Sequence, residues 1–263
     1  MASALLLPAA IDALYDEAYH TLHQDTRLAL ELSEQARESS LTIDYRPGIA
    51  RSTYLIAQCR LILWGVDACL EQLQQSFQLF QSLGDRSGEA DALNILAIVH
   101  GRRGDHTLAL EFSQQCLAIR RSLGDLKGEA KSLNNIGVIY RDLLRFADAL
   151  EALFRSYELA DQAGCPHSAA YATGNIAEVF YQIGELTNAR SYFQKGLALI
   201  SETEDQAFRS TALAGLGKTY LDQGQHEQAI SCLQHALEID ERTCNLDAKG
   251  TTLYQLGRAY LAL

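Results

Sequence analysis

The chain has 263 residues, of which 48% are hydrophobic and 21% charged, a composition typical of a folded protein rather than a disordered one. Its 22 Lys and Arg against 33 Asp and Glu give a net charge of −11. This balance argues against binding to duplex nucleic acid or to an anionic membrane surface, because both would require a net basic face.

The sequence also indicates a compartment. No apolar run approaches the ~20 residues that span a bilayer. The apolar opening stretch lacks a basic start and runs into Asp12 and Asp16, so we interpret it as the entry to a helix, with Pro8 in the first turn. The six cysteines are scattered and form no C-x-x-C pair, as is typical of thiols in a reducing compartment. We therefore expect a cytoplasmic protein; export with disulfides is the alternative.

A repeat of 40 residues organises the chain from about residue 8 to residue 263. Small residues recur at one position of each period: Ala57, Ala97, Gly137, Ala177, Gly217 and Gly257. A second small position also recurs: Ala29, Cys69, Ala109, Ala149, Ala189 and Ala229. A long or aromatic residue follows the first series by three positions: Arg60, His100, Tyr140, Phe180, Tyr220 and Tyr260. Six phases in one register, without an insertion, are not an accident of composition.

Each period is predicted to contain two helices. Apolar residues spaced by three and four indicate helices over about 87–102 and 105–122, separated by the turn Gly104-Asp105. All three prolines fall where the first helix of a pair should begin. We expect the two helices of a pair to be antiparallel and to approach closely where Gly137 meets Ala149. Each pair alone would leave an apolar face exposed, so the pairs must stack.

These residues resemble tetratricopeptide repeats. The family pattern is matched, for example, by the following set: Leu133, Ile136, Gly137, Tyr140, Ala149 and Leu153. The period of 40 exceeds the usual 34 of the family. It is similar to the subgroup found in spindle-orientation adaptors, in peptide-sensing Rap-type regulators of bacteria, and in sensor segments ahead of bacterial signalling enzymes. The resemblance implies an all-α fold, a right-handed superhelical solenoid of antiparallel helix pairs with a concave groove lined by the first helices.

We predict one solenoid domain, 1–263, made of six helix pairs and one C-terminal helix. The predicted repeats are 7–46, 47–86, 87–126, 127–166, 167–206 and 207–246, with a half-repeat at 247–263. The last helix has the pattern of a helix that expects a partner: Leu253, Leu256, Gly257 and Tyr260. We therefore expect that the natural protein continues past Leu263 or that this face is buried in a homodimer formed through the terminal repeats.

Motifs for catalysis are weak. The stretch 212–219 matches a relaxed phosphate-loop pattern, but no strand precedes it and Gly217 is already explained by the repeat. His20 and His23, one turn apart, could hold a metal, but His20 is at the repeat position of His100, which favours core packing. No Ser/His/Asp or Cys/His set has a readable geometry. We expect no enzyme, no catalytic residue, no metal site and no cofactor.

The first helices provide the candidate binding residues. Positions three before, one after and four after each small residue, with their neighbours one turn earlier, should face the groove. The candidates are Asp91, Asn94, Lys131, Asn134, Asn135, Arg141, Tyr171, Asn175, Glu178, Lys218, Tyr254 and Arg258. Asn side chains offer a donor and an acceptor to a peptide backbone. We expect the basic candidates to form a stripe that suits a carboxylate or an acidic segment: Lys131, Arg141, Lys218 and Arg258. The alternative is that these are ordinary solvated positions. The match to the carboxylate clamp of the family is partial.

Two functional hypotheses follow. The first is a non-catalytic scaffold that binds a protein or a peptide in the groove, with no role for nucleic acid or membranes. The second is a regulatory, sensor or dimerisation segment of a longer bacterial signalling protein, for example ahead of a cyclase or kinase domain.

Overall fold

The chain is all-α, as predicted. A computed structural model describes residues 7–22, 24–200, 205–243 and 246–262, and these residues form helices joined by short turns. The helices are α1 (Pro8–Thr21), α2 (Thr26–Thr42), α3 (Arg46–Trp64), α4 (Leu70–Leu83), α5 (Arg86–Arg102), α6 (His106–Ser122), α7 (Leu126–Asp142), α8 (Phe146–Gln162), α9 (Pro166–Gln182), α10 (Leu186–Leu199), α11 (Gln206–Asp222), α12 (His226–Arg242) and α13 (Leu246–Leu261). A 3₁₀ turn, Val66–Ala68, precedes α4.

The helices form two compact units. The first, Met1–Gly124, contains the pairs α1–α2, α3–α4 and α5–α6; the second, Asp125–Leu263, contains α7–α8, α9–α10, α11–α12 and the single helix α13. The first helices of successive pairs begin at residues 46, 86, 126, 166, 206 and 246, which is the 40-residue period of the sequence. That 1–263 is one domain stays a prediction.

Helix ends have the residues that the sequence indicated. The side chains of Asp85, Asp105 and Asp125 accept hydrogen bonds from backbone N–H groups in the first turns of α5, α6 and α7. The three prolines lie at the first or second position of α1, α3 and α9, where a missing N–H costs nothing. The turn between α5 and α6 contains Gly104 with φ +80°, whereas Leu144 adopts the same left-handed region at φ +58° between α7 and α8.

Close approach within a pair depends on the small residues. A Cβ added at Gly137 would lie 2.5 Å from Leu153 Cγ and 3.3 Å from the carbonyl oxygen of Ala149. A Cβ at Gly217 would lie 2.7 Å from Leu233 Cγ and 3.2 Å from a backbone oxygen of α12. The predicted contact of Gly137 with Ala149 is therefore confirmed, and it recurs in the pair α11–α12.

A buried carboxylate joins the last three helices. Asp240 of α12 is 1% exposed, and its two oxygens accept hydrogen bonds from the hydroxyls of Ser210 in α11 and Thr252 in α13, the latter at 3.0 Å. Because both oxygens are paired with side chains on different helices, Asp240 holds α13 against the pair that precedes it.

The prediction that His20 packs in the core is wrong. His20 is exposed, because Ala18 takes the small-residue contact of α1 and packs in one cluster with Ala29 and Cys59. This contact is one residue later than the 40-residue register places it, and it turns His20 outward. His23 lies outside the described residues.

The remaining sequence motifs are located by the helices. The phosphate-loop-like stretch 212–219 lies inside α11, where the backbone N–H groups are used by the helix. None of the five cysteines that the structure describes is in a disulfide. Burial raises the pKa of the Cys59 thiol to about 11, which suppresses its thiolate form.

The glycine contacts predict opposite effects on stability for the same substitution at two equivalent positions. Gly137→Ala should destabilise the protein by about 1–3 kcal/mol, because its new methyl group has no space beside Leu153. Gly257→Ala, at the equivalent position of α13, should stabilise by about 0.5–1 kcal/mol, because no atom lies within 4 Å of the added Cβ and alanine favours helix. Urea unfolding followed by circular dichroism measures both. Changes of the same sign would contradict the packing role of Gly137.

Candidate functional site

Polar side chains of the second unit join the first helices of its pairs to one another. We call the following set the polar row: Asn134, Arg141, Asn175, Glu178, Tyr181, Lys218, Asp222 and Arg258. These residues lie on α7, α9, α11 and α13, and each of these helices contacts the next one of the four. The row includes six of the twelve residues that the sequence predicted: Asn134, Arg141, Asn175, Glu178, Lys218 and Arg258.

The first part of the row is an amide and guanidinium cluster. Nδ2 of Asn175 donates to Oδ1 of Asn134 at 2.9 Å, and Nη1 of Arg141 donates to Oδ1 of Asn175 at 3.4 Å. Arg141 also pairs with Asp142, the next residue of the chain, at 2.9 Å. An amide nitrogen has two hydrogens and a guanidinium has five, so donors of this cluster remain for a ligand.

The second part of the row is an ion pair beside an aromatic ring. Nζ of Lys218 lies 3.1 Å from Oε1 of Glu178, and the two side chains are 22% and 28% exposed. The same ammonium lies 3.7 Å from the ring centroid of Tyr181, a distance at which the ring face attracts a cation. Lys218 is therefore held by two groups of α9.

The third part of the row links α9 and α13 to Asp222 of α11. The hydroxyl of Tyr181 donates to the Asp222 carboxylate, and Nη2 of Arg258 lies 3.4 Å from Oδ1 of the same carboxylate. Burial, followed by the hydrogen bond to Asp222, raises the pKa of Tyr181 above its usual value of 10, so the phenol is protonated and donates at neutral pH.

A cleft opens between α9 and α11, next to the amide cluster. Its volume is about 460 Å³. The buried rings of Phe193 and Phe208 form an apolar floor together with Ala212. The other lining residues are Arg141, Tyr171, Gly174, Asn175, Glu178, Gln182, Ala207 and Thr211. We call this space the α9–α11 cleft. A pocket with an apolar floor and a few convergent polar groups is the usual form of a ligand site.

Tyr171 forms part of the wall of the α9–α11 cleft. Its ring packs at a tilt on Phe208, with 5.1 Å between the centroids. Burial raises the pKa of Tyr171, and the carboxylate of Asp205, to which its hydroxyl is hydrogen-bonded, raises it further. The hydroxyl of Tyr171 is therefore protonated at neutral pH, and the side chain is 42% exposed beside the cleft.

Five predicted residues lie outside the polar row and the cleft. In the second unit, Lys131 of α7 is exposed, Asn135 is half-buried, and Tyr254 of α13 is 66% exposed. In the first unit, Asp91 of α5 pairs with Arg120 of α6, and Asn94 is half-buried. Asp91 therefore links the two helices of its own pair.

The first unit has a cleft of a different character. Its volume is about 370 Å³, and it is lined by Tyr19, Leu22, Gln58, Leu61, Ile62 and Ile95. Gln58 and Leu61 occupy the repeat positions of Glu178 and Tyr181. At these positions the first unit therefore has the neutral side chains of Gln58 and Leu61, where the second unit has Glu178, paired with Lys218, and Tyr181, bonded to Asp222.

The sequence did not predict the floor of the α9–α11 cleft. It also did not predict Asp222, the carboxylate of the polar row that pairs with Tyr181 and Arg258. Phe193 and Phe208 fit the apolar pattern of a core, and only Gly174, a small residue at a groove position, signalled the space beside them. Asp222 lies five residues after Gly217, and the predicted groove positions extend only to four residues after each small residue. Its separation from Tyr181, 41 residues or nearly one period, is the signal that could have identified it.

A model of a known repeat family matches most of the chain. The family model for the tetratricopeptide repeat matches five overlapping segments, 66–122, 88–162, 128–202, 167–242 and 208–263, which together run from residue 66 to residue 263. The chain belongs to the tetratricopeptide repeat family. This confirms the resemblance drawn from the small and aromatic positions of the repeat.

Solved structures share the fold. BtubC from P. vanneervenii is 20% identical with a TM-score of 0.61, and the alignment covers 89% of this chain and 90% of that one. A Rap protein complexed with competence and sporulation factor is 14% identical, with a TM-score of 0.69 and coverages of 94% and 74%. A signal transduction ATPase with a tetratricopeptide repeat sensor, from Pyrococcus horikoshii, is 15% identical, with a TM-score of 0.71 and coverages of 98% and 43%. At these identities the likeness establishes the fold alone.

Other comparisons and searches were negative. No curated protein sequence matches the chain. In the described part of the chain, no helix is long and apolar enough to cross a membrane. The same residues contain no cluster of three or more His, Cys, Asp or Glu side chains placed to hold a metal ion.

The Glu178–Lys218 pair is testable by a double-mutant cycle. We expect a coupling of about 0.5–1 kcal/mol in the free energy of unfolding between Glu178→Gln and Lys218→Met, because the pair is partly shielded from water. The pair of Arg155 and Glu158, on one exposed face of α8, is the control and should give a smaller coupling. Equal couplings would show that the polar row does not hold α9 and α11 together.

Proposed function

We propose that the protein is a non-catalytic scaffold that binds a segment of a partner protein or a peptide on the first helices of its second unit. The observation that supports this is the α9–α11 cleft, whose apolar floor lies directly beside the amides of Asn175 and Gln182 and the guanidinium of Arg141. An extended segment presents apolar side chains and backbone amides in alternation, and the cleft offers a surface for each.

The amide cluster suits the backbone of such a segment. The carboxamides of Asn134 and Asn175 are already bonded to each other, which fixes their orientation before a ligand arrives. The amide hydrogens of Asn134, the second amide hydrogen of Asn175 and the second lone pair of each Oδ1 can then bind a peptide group without a large loss of side-chain entropy. We infer that these two residues hold the backbone and that the neighbouring groups select the side chains.

The charges of the polar row limit the chemistry of the partner segment. Lys218 and Arg258 are paired with Glu178 and Asp222, so they contribute less to a basic stripe than their number suggests. Arg141 is paired with Asp142, an exposed neighbour in sequence, and is the basic residue that lines the cleft. We propose a partner segment with an acidic or carboxylate group at Arg141, and no nucleic acid or membrane.

The relatives are consistent with this proposal. A Rap protein of the same fold is complexed with competence and sporulation factor. The lining of the α9–α11 cleft contains no Ser, Cys or His side chain that could act as a nucleophile or a base, and this favours binding over catalysis. Binding of a peptide segment needs no cofactor. The five cysteines that the structure describes are all free thiols, which is typical of a reducing compartment, and we propose that the protein acts in the cytoplasm.

Substitutions in the amide cluster test the proposal. The double variant Asn134→Ala, Arg141→Ala should weaken binding to captured partners or selected peptides by about 1–3 kcal/mol, because it removes two groups that face the ligand. Its melting temperature should fall by only a few degrees, because the variant removes two part-buried hydrogen bonds to Asn175, each of which contributes about 0.5–1.5 kcal/mol. Isothermal titration calorimetry and thermal unfolding measure the two effects.

The control has the same residue types on second helices. Asn188 of α10 and Arg155 of α8 are both exposed, so Asn188→Ala, Arg155→Ala makes the same chemical change away from the polar row. Unchanged affinity in the first variant, or an equal loss in the control, would contradict binding at the amide cluster.

A second candidate function is a dimerisation segment of a signalling protein. On α13, Leu253 is 45% and Leu261 is 91% exposed, and the space at Gly257 is open, whereas Leu233 covers the equivalent Gly217 of α11. Two copies of α13 could pack through Leu253 and Leu261 in an isologous dimer.

Light scattering tests the dimer. We expect a mass of about twice 29.0 kDa at high concentration and a return to the monomer mass for Leu253→Glu. A monomer at every concentration would exclude this function while leaving the peptide-binding proposal intact.

A further inference from the structure

One core contact of the second unit is apolar in two repeats and polar in the third. It joins the end of a second helix to the first helices on either side of it. Around α8 its residues are buried alanines: Ala130, Ala160 and Ala172. Around α10 they pack in one apolar cluster: Ala170, Ile200 and Ala212. Around α12 the same repeat positions hold three buried polar residues, which we call the Asp240 triad: Ser210, Asp240 and Thr252. A buried carboxylate therefore stands where the two preceding repeats have alkyl side chains.

The donors to Asp240 are neutral. Its two oxygens accept hydrogen bonds from the hydroxyls of Ser210 and Thr252, and among the described residues no cationic side chain pairs with it. A buried carboxylate has lost its hydration, and it regains that hydration when the helices around it separate and water enters. An alkyl side chain has the opposite preference, because separation exposes it to water. We therefore expect the Asp240 triad to separate more readily than the apolar contacts around α8 and α10.

The other contacts of α13 are also mainly polar. Of the α13 residues whose side chains the structure describes, Thr252 and Ala259 are buried and Leu256 is half-buried. Three exposed polar contacts complete the attachment: Lys249 to Glu241 at 2.9 Å, Tyr260 to Gln234 at 3.0 Å, and Arg258 to Asp222 at 3.4 Å. Exposed polar contacts exchange with water at a small net cost. α13 can therefore leave α12 without exposing a large apolar surface.

One of these contacts belongs to the polar row. Asp222 accepts a hydrogen bond from Arg258 of α13 through one oxygen and from Tyr181 of α9 through the other. While α13 is attached, the guanidinium offsets the charge of Asp222. When α13 leaves, Asp222 keeps its bond to Tyr181 and loses the cation with which it is paired. The attachment of α13 therefore sets the net charge at this end of the polar row.

We infer that the Asp240 triad is a reversible attachment for α13, and that its separation changes the polar row at Asp222 from neutral to acidic. In the separated form α11 and α12 remain packed together where Leu233 covers Gly217. A basic group on a ligand competes with Arg258 for Asp222, so such a ligand favours the separated form. The attachment itself does not depend on the proposed function.

Hydrogen exchange of the full chain, measured by mass spectrometry at a series of low urea concentrations, tests the inference. Amides of α13 should exchange about tenfold faster than those of α11 and with a weaker dependence on urea, because they open without global unfolding. A triple variant, Ser210→Ala with Asp240→Ile and Thr252→Ala, has the residues of the preceding repeat. It should slow exchange in α13 about tenfold, because an apolar contact replaces the buried carboxylate.

A single substitution tests the hydrogen bond to α13. Thr252→Val removes one donor at nearly constant volume and leaves a carboxylate oxygen unpaired, so α13 should exchange about fivefold faster. Thr219→Val is the control, because this buried hydroxyl bonds the carbonyl of Gly215 in its own helix and α9 has Val179 at the same repeat position. Exchange in α13 should be the same in the control as in the wild type.

A double-mutant cycle on the same exchange rates tests the link to the polar row. Arg258→Gln and Asp222→Asn should each speed exchange in α13 about twofold, because each removes the same exposed ion pair. The double variant should exchange no faster than either single variant.

The outcomes are distinct. Equal rates and equal urea dependence for α13 and α11 in the wild type would overturn the reversible attachment. Thermal unfolding shows whether the triple variant is folded; if it is not, Thr252→Val decides, and unchanged exchange in that variant contradicts the role of the Asp240 triad. Additive effects of Arg258→Gln and Asp222→Asn, or no effect of either, would overturn the link to the polar row. These measurements use no ligand, so a failure of peptide binding is a separate result.

Discussion

The close approach of two helices at a residue without a side chain is the contact on which the rest of the second unit depends. At Gly137 the backbone of α8 and the side chain of Leu153 occupy the space that a Cβ would need. Because the same contact recurs at Gly217, the pairs α7–α8 and α11–α12 have the same internal geometry. Equal pairs stack with their first helices next to one another, and that arrangement places residues 40 apart within hydrogen-bonding distance.

The polar row is a consequence of that spacing. Side chains of the polar row take their partners from the next pair: Asn134 bonds to Asn175, 41 residues away, and Glu178 to Lys218, 40 residues away. These pairings make the row a contact between helix pairs, and in the proposed function the same row is the binding surface. A ligand meets side chains whose orientations are already set, which lowers the entropy cost of binding and limits which charges remain available to it.

The sequence was sufficient for the helices and for much of the row, because both follow from periodicity. The positions of Asn134, Asn175 and Lys218 on the first helices follow from their fixed spacing to the small residue of each repeat. The spacing did not predict which partner each side chain has. The basic residues of the second unit were expected to form a stripe, yet Lys218 and Arg258 are neutralised by carboxylates from neighbouring helices. Periodicity gives the face on which a residue lies and says nothing of its partner.

The α9–α11 cleft shows where the repeat is locally broken. Position 174 is occupied by glycine, whereas the equivalent residues of α5 and α7 are Asn94 and Asn134, both half-buried. Glycine at this position carries no polar side chain, and the buried ring of Phe208 packs against it, 3.0 Å from where a Cβ would lie. A repeat protein in which every groove position were alike would bind any segment equally along its length. The residue at this repeat position differs from helix to helix in the second unit, as Asn134, Gly174, Ala214 and Tyr254, and specificity along such a surface requires such differences.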